Sequence, residues 1–288
     1  MNRPLFPILC LAASAVSGPA LAEDDARPWT LSAGYSRLSA GGEAASGDAD
    51  TVSVSLARRF GATTAAISGA ASRRAVLFPD VVDRSDANSF AIGAALSHAI
   101  DATEIALLLD YAKESADVTI DPPSLPSFDA EAKNAFVSVA AAVSRTFGGA
   151  TRLTPSASVG WSRSKAEIAS AAGPFAAAQT SEGWTGTAGL FLAQDIGSRW
   201  TVSAGGAAIA SEEAGALAVT SGGGRGRAQG GLFSGVQTLG QQGSLIFGEL
   251  GAGLSTRLGR VTLSTDASHS VGLDDDYFIL ASSVSLDF

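Results

Sequence analysis

Ile279-Leu-Ala-Ser-Ser-Val-Ser-Leu-Asp-Phe288 ends the sequence and decides the fold. In an extended strand successive side chains point to opposite sides, so Leu280, Ser282, Val284, Leu286 and Phe288 share one face and Ser283, Ser285 and Asp287 share the other. One face suits hydrocarbon and the other suits water, which is the pattern of a strand that crosses a membrane in a barrel wall.

The same alternation recurs upstream. Residues 29–38 set Trp29, Leu31, Ala33 and Tyr35 against Thr30, Ser32, Gly34 and Ser36. In 51–60, Val52, Val54 and Leu56 oppose Ser53, Ser55 and Ala57, and in 89–98, Phe90, Ile92, Ala94 and Leu96 oppose Ser89, Ala91, Gly93, Ala95 and Ser97. Residues 103–112 are clearest: Ile105, Leu107, Leu109 and Tyr111 face away from Glu104, Ala106, Leu108, Asp110 and Ala112. Further candidates are 62–73, 135–147, 152–163, 183–194, 199–209, 228–238, 243–256, 260–270 and 277–288. After residue 22 no run of about twenty apolar residues is available for a membrane helix. A chain of this kind crosses lipid only as a closed sheet, in which every backbone N–H and C=O is paired.

These patterns predict an all-β chain forming a single closed antiparallel transmembrane β-barrel. The candidates number thirteen, whereas a single-chain bacterial barrel has an even count. Twelve strands are favoured, with two neighbouring candidates merging into one bent strand; fourteen would need a short extra strand at 216–220. Short connections are expected near Gly61, Ile100-Asp101, Gly148-Gly149 and Gly197-Ser198, and at 240–242 and Gly259. Long polar loops are expected at 39–50, 74–88, 116–131, 166–182 and 210–226. A soluble exported β-sandwich or β-solenoid is the competing fold, but it leaves the terminal Phe, the apolar outer faces and the loop asymmetry unconnected.

Asn2 and Arg3 precede an apolar run from Leu5 to Val16, and Ala20-Leu21-Ala22 supplies a small-x-small cleavage pattern. Residues 1–22 are therefore expected to be a cleaved signal peptide and 23–288 the barrel domain. The only cysteine, Cys10, leaves with the signal, so the mature chain has no disulfide or thiolate chemistry. The formal charge of −9 becomes −10 when Arg3 is lost. That acidity, with no basic run, argues against nucleic-acid binding.

The inward faces are lined mainly by Ser, Thr, Ala and Gly, including Ser53, Ser55, Thr154, Ser156, Ser158, Gly160, Ser162, Thr262, Ser264 and Asp266. Side chains this small predict a wet lumen, or one plugged by a loop such as 116–131, stiffened by Pro122, Pro123 and Pro126. Glu104, Asp110, Glu249 and Asp266 are the expected acidic lumen-lining residues, giving a mild preference for cations or neutral solutes. A narrow passive channel for small solutes or cations is the expected function. The alternative is a non-conducting structural or surface protein, with a lipid-modifying enzyme behind both. Aromatic belts are expected from Trp29, Trp161, Trp184, Trp200, Phe147 and Phe288 near strand ends.

Catalysis would rest on two histidines. His98 leans to the lipid side, while His269, near Asp266 and Asp274, could be oriented as a general base. Serines flank any histidine in a chain this rich in them, so no enzyme and no cofactor is expected; Gly222 to Gly224 lack the lysine and hydroxyl of a nucleotide cradle. The acidic rim residues Glu43, Asp48, Asp50, Asp80, Asp83, Asp86, Asp117, Asp121, Asp129, Glu131 and Asp274 to Asp276 could hold Ca²⁺ or Mg²⁺ between lipopolysaccharide phosphates. Their spacing is not that of a dedicated calcium loop, and a solvated rim is the simpler account.

The ending of the chain resembles the C-terminal signature of bacterial outer-membrane proteins, a terminal Phe with apolar residues at alternate positions before it. That resemblance implies a Gram-negative outer-membrane location, with lipid, lipopolysaccharide and the barrel-insertion machinery as partners, and Leu280, Val284, Leu286 and Phe288 as the assembly signal. In length, composition and ending the chain is also similar to the translocator domain of autotransporters. It departs from that pattern in one respect: the first strand begins six or seven residues after the expected cleavage site, leaving no passenger to export.

Overall fold

In the computed structural model the described residues are 28–41, 46–78, 82–120, 128–170, 176–211, 245–272 and 276–288. They form β1 (Trp29–Gly41), β2 (Ser46–Phe60), β3 (Thr63–Phe78), β4 (Val82–Ile100), β5 (Thr103–Ile120) and β6 (Phe128–Arg145). There follow β7 (Phe147–Gly148), β8 (Thr151–Ser170), β9 (Ala176–Ile196), β10 (Trp200–Ser211), β11 (Leu245–Leu258), β12 (Val261–Val271) and β13 (Asp276–Asp287). Apart from β6 and β7, successive strands pair antiparallel, β1 pairs with β13, and β6 pairs with β8, so the sheet closes on itself. The two residues of β7 continue β6 past a bend at Thr146, whose N–H donates to Ala102 O at 2.9 Å. The wall therefore has twelve strands among the described residues.

Closure falls where the terminal alternation predicts it. Trp29 and Phe288 exchange backbone hydrogen bonds at 3.2 and 3.0 Å, and the register runs from Thr30 opposite Asp287 to Gly41 opposite Asp276. The favoured count of twelve strands is the one found among the described residues. β10 pairs directly with β11, and each is paired on its other side as well; the candidate strand at 228–238 and the short extra strand at 216–220 belong to the connection between them in sequence. Both of those segments, like the signal peptide, lie outside the described residues.

The alternation sorts the side chains as expected. Leu31, Val52, Val54, Ile92, Ile105, Leu107, Leu109, Leu190, Leu250, Leu280, Val284 and Leu286 are exposed on the outer face, while Ser32, Ser55, Ala91, Glu104, Ala106 and Ala112 are buried on the inner one. In a soluble protein so much exposed aliphatic surface would be an aggregation hazard; here it is a continuous lipid belt. The turns after β2, β4, β9 and β11 lie at the end of the barrel that carries both termini, and each has a residue in the left-handed region: Gly61, Asp101, Gly197 and Gly259. Asp101, at φ 53°, is the non-glycine exception among the described residues; a short polar side chain is tolerated there.

The opposite end departs from expectation. Most of 39–50, 74–88, 116–131 and 166–182 is strand, and 210–226 lies outside the described residues apart from its first two positions. β4 to β6, β8 and β9 are 18 to 21 residues long, about twice the 9 to 11 that a tilted strand needs to cross the bilayer. Asp48, Asp50, Asp86, Asp117, Asp129 and Glu131 thus sit on strands that project beyond the lipid rather than in loops. Replacing the lipid-facing Leu107 by Arg is expected to cost about 2–4 kcal/mol, measured by urea titration of folding into lipid vesicles; an unchanged midpoint would place Leu107 off the lipid face.

Candidate functional site in the barrel interior

Glu104, Asp110 and Glu249 are buried on the inner face, and Asp266, half-buried, shares that face with Ser264 and Ser268. Two of these carboxylates lie against glycine on the neighbouring strand. Asp110 is opposite Gly93, where an added Cβ would come within 2.6 Å of Asp110 Oδ1, and Asp266 is opposite Gly253, where it would come within 2.1 Å of Asp266 Oδ1. The missing side chain lets each acid lie along the wall. Asp110 Oδ2 also accepts from Ser138 Oγ at 3.5 Å, a long contact. Phe191 is placed in the same way over Gly205, the cross-strand covering of a glycine by an aromatic ring that supports strongly bent sheets.

The outer half of the interior is packed. On one wall Phe136 lies across the row Ala112, Ala91 and Ala70, which the register sets side by side, and all four are buried. Above that row the Arg74 guanidinium reaches over β4 to Glu114, Nη2 to Oε1 2.8 Å, with side-chain exposures of 7% and 2%. Ala87 and Ser89 are the small residues it passes. On the facing wall Ile209 pairs with Phe247, and Leu38 and Ala40 pair with Ile279 and Tyr277, as one apolar cluster. Tyr277 carries the cluster down to a polar floor: its hydroxyl donates to Glu249 Oε2 at 3.2 Å and its N–H to Ser270 Oγ at 2.9 Å. Glu249 Oε1 has no hydrogen-bond partner among the described residues.

Nearer the termini the inner face is mixed in exposure, with Ser55, Glu104, Ala106, Ser144 and Ser255 buried. Ser156, Ser158, Ser203, Ser264 and Ser283 are half-buried along the β8, β10, β12 and β13 wall. Arg152 holds Asp195 there with both guanidinium nitrogens, and Thr201 Oγ1 donates to Asp195 Oδ1 at 2.7 Å. The Arg74–Glu114 and Arg152–Asp195 pairs were not anticipated from sequence. Each joins residues forty or more positions apart in the chain with one partner at the margin of a candidate strand, and only the register brings them together.

His269 and Asp266 do not meet. Three residues apart on one strand, they fall on opposite faces: His269 points outward, its Nδ1 3.0 Å from Tyr277 O, and Asp266 points inward. His98 faces outward and bonds Thr63 Oγ1 at 2.8 Å. Asp274 and the proline stretch 121–127 lie outside the described residues. Among the described residues no cluster of three or more potential metal ligands occurs.

The outer surface shows where the membrane lies. Phe60, Phe147, Trp200 and Phe288 are exposed near the terminus-bearing end, where Arg58 stacks on Trp29 and Phe60 and Arg145 on Phe147. Trp161 and Trp184 face each other across β8 and β9 toward the other end, so the lipid belt is bounded by aromatic rings on both sides. The chain is a closed transmembrane β-barrel. It is similar to the translocator domain of the autotransporter NalP from Neisseria meningitidis, with a TM-score of 0.75 over 92% of this chain and 90% of that one at 14% identity. The β domain of the Bordetella autotransporter BrkA gives 0.70 over 92% and 100% at 14% identity, and the transport unit of AIDA-I from Escherichia coli gives 0.58 over 94% and 93% at 13% identity. No family model and no curated protein matches the sequence. At these identities the likeness is one of fold.

Gly205→Ala is expected to destabilise the folded barrel by about 1–3 kcal/mol through overpacking, because its Cβ would meet Leu190 O at 2.8 Å and Phe191 Cδ2 at 2.9 Å. Gly186→Ala, whose nearest neighbour would be 4.0 Å away, is expected to be near neutral. Equal urea midpoints for the two variants would contradict the close strand contact at Gly205.

Proposed function

We propose that the protein is a non-conducting structural or surface barrel of the outer membrane, shut in its outer half by its own wall side chains. The burial of inner-face residues on both walls supports this: Phe136, Ala112, Arg74 and Glu114 on one side, Ile209, Phe247, Tyr277 and Glu249 on the other. Wide barrels keep an aqueous channel whereas narrow ones fill with side chains, and a wall lining open water would leave groups of this size wet. A buried ion pair is also poorly suited to a permeation path, since an ion passing it would have to displace the partner of a desolvated charge. A narrow passive channel for small solutes or cations is the second reading. It is favoured by the half-buried serines and by Asp110 and Asp266 in the half nearer the termini.

Planar-bilayer recording on the purified folded protein separates the two. A closed barrel gives no stepwise current, and Glu114→Ala together with Phe136→Ala is expected to open it. Stable cation-biased steps from the unaltered protein that fall in Glu104→Gln and Asp110→Asn would overturn the closed reading in favour of the channel.

A further inference from the structure

Above the Trp161 and Trp184 rings the outer face of β5, β6 and β8 carries four basic side chains in adjoining rows. The register aligns Leu109, Val139, Trp161 and Trp184 in the last lipid-facing row, then Tyr111, Val137, Arg163 and Glu182. Next come Phe90, Lys113, Ala135 and Lys165, followed by Ser115, Lys133 and Glu167. All four basic groups face outward and are exposed. Ala135, between Lys113 and Lys165, leaves a shallow gap about two strand spacings wide, roughly 10 Å, with aromatic rings beneath it.

The acidic neighbours do not cancel this charge where it meets the lipid. Lys133 pairs with Glu131 at 3.0 Å and Lys165 with Glu167 at 2.5 Å, so those two carboxylates, with Asp117, lie in the outer rows. The hydrogen bond from Lys165 and its charge hold the Glu167 carboxyl below its ordinary range. Lys113 and Arg163 form no ion pair among the described residues; Glu182 stands opposite Arg163 outside ion-pair distance. On the far side of the barrel, by contrast, Arg37 pairs with Asp48 at 3.1 Å and Tyr35 donates to Asp50 at 2.5 Å. Basic groups in the first rows above an aromatic belt sit at headgroup height, where amphipathic rings mark the interface, and guanidinium and ammonium groups are the usual partners of phosphate oxygens.

We propose that Lys113, Arg163 and Lys165 form a binding site for the phosphate of a phosphorylated glycolipid of the outer leaflet, with its acyl chains against Leu109, Val139 and Trp184. The site lies on the outside of the wall and does not depend on whether the interior conducts.

The full chain, folded in a zwitterionic detergent, is titrated with bis-phosphorylated lipid A while tryptophan emission is followed and lipid adducts are counted by native mass spectrometry. Saturable binding is expected, weakened at least tenfold in Lys113→Gln/Arg163→Gln/Lys165→Gln and less than twofold in Arg58→Gln/Arg145→Gln at the other interface. Lys113→Gln alone, at an exposed position without an ion pair, is expected to weaken it about threefold and guards against misfolding of the triple variant. Lipid A stripped of phosphate should bind no better than phosphatidylethanolamine, and inorganic phosphate at millimolar concentration should not compete. Equal binding by the triple variant and the unaltered protein, or by phosphate-free lipid A, would overturn the site; competition by inorganic phosphate would overturn its assignment to a lipid.

Discussion

The pairing of the first strand with the last is the interaction on which the rest of the structure depends. In hydrocarbon an unpaired N–H or C=O costs several kcal/mol, so a sheet of this chain can sit in lipid only if β1 finds β13. Trp29 and Phe288 make that junction at the terminus-bearing end, and twelve aligned pairs follow along the seam. Even strand number, both termini at one end and short turns at that same end all follow from it. The outer face can then be almost wholly aliphatic without exposing a sheet edge.

Closure also sets the problem of the interior. Twelve strands enclose more space than Ser, Thr, Ala and Gly can fill, and the chain meets this unevenly. Its outer half uses a few large groups laid flat over small ones, Phe136 across alanines and Arg74 across Ala87 and Ser89. Its inner half keeps small hydroxyls and lets acids lie against glycines, Asp110 on Gly93 and Asp266 on Gly253. Asp110 and Asp266, expected from sequence to line the lumen, lie along the inner face of the wall. On the outer face of β5, β6 and β8 the charge is ordered by height, with Arg163, Lys113 and Lys165 nearest the aromatic rings and Glu167, Asp117 and Glu131 beyond them.

Period-two alternation made most of the wall legible from sequence, and the left-handed turn residues Gly61, Gly197 and Gly259 marked the short connections. Strand length was not legible in the same way. Alternation of apolar and polar residues is a signal only while one face meets lipid; past the interface Lys113, Lys133 and Lys165 appear on the outer face, and the strand reads as a loop although its hydrogen bonding is unbroken. For the same reason Arg74 and Glu114, at the ends of recognised segments, did not suggest an ion pair. The separation of His269 from Asp266 was available from parity alone, because an odd spacing on a strand sends two side chains to opposite faces.

Closure is tested most directly by a disulfide across the seam. Ser32 and Ser285 face each other inside the barrel with their Oγ atoms 2.9 Å apart, and Cys10 is the only native cysteine. Ser32→Cys/Ser285→Cys, oxidised in the outer membrane, is expected to give a monomer that runs faster than its reduced form in a denaturing gel, whereas Ser32→Cys/Asp287→Cys, two residues out of register on the same face, is not. Absence of the cross-link in folded protein, its appearance only between chains, or equal cross-linking of the shifted pair would contradict a barrel closed by its first and last strands.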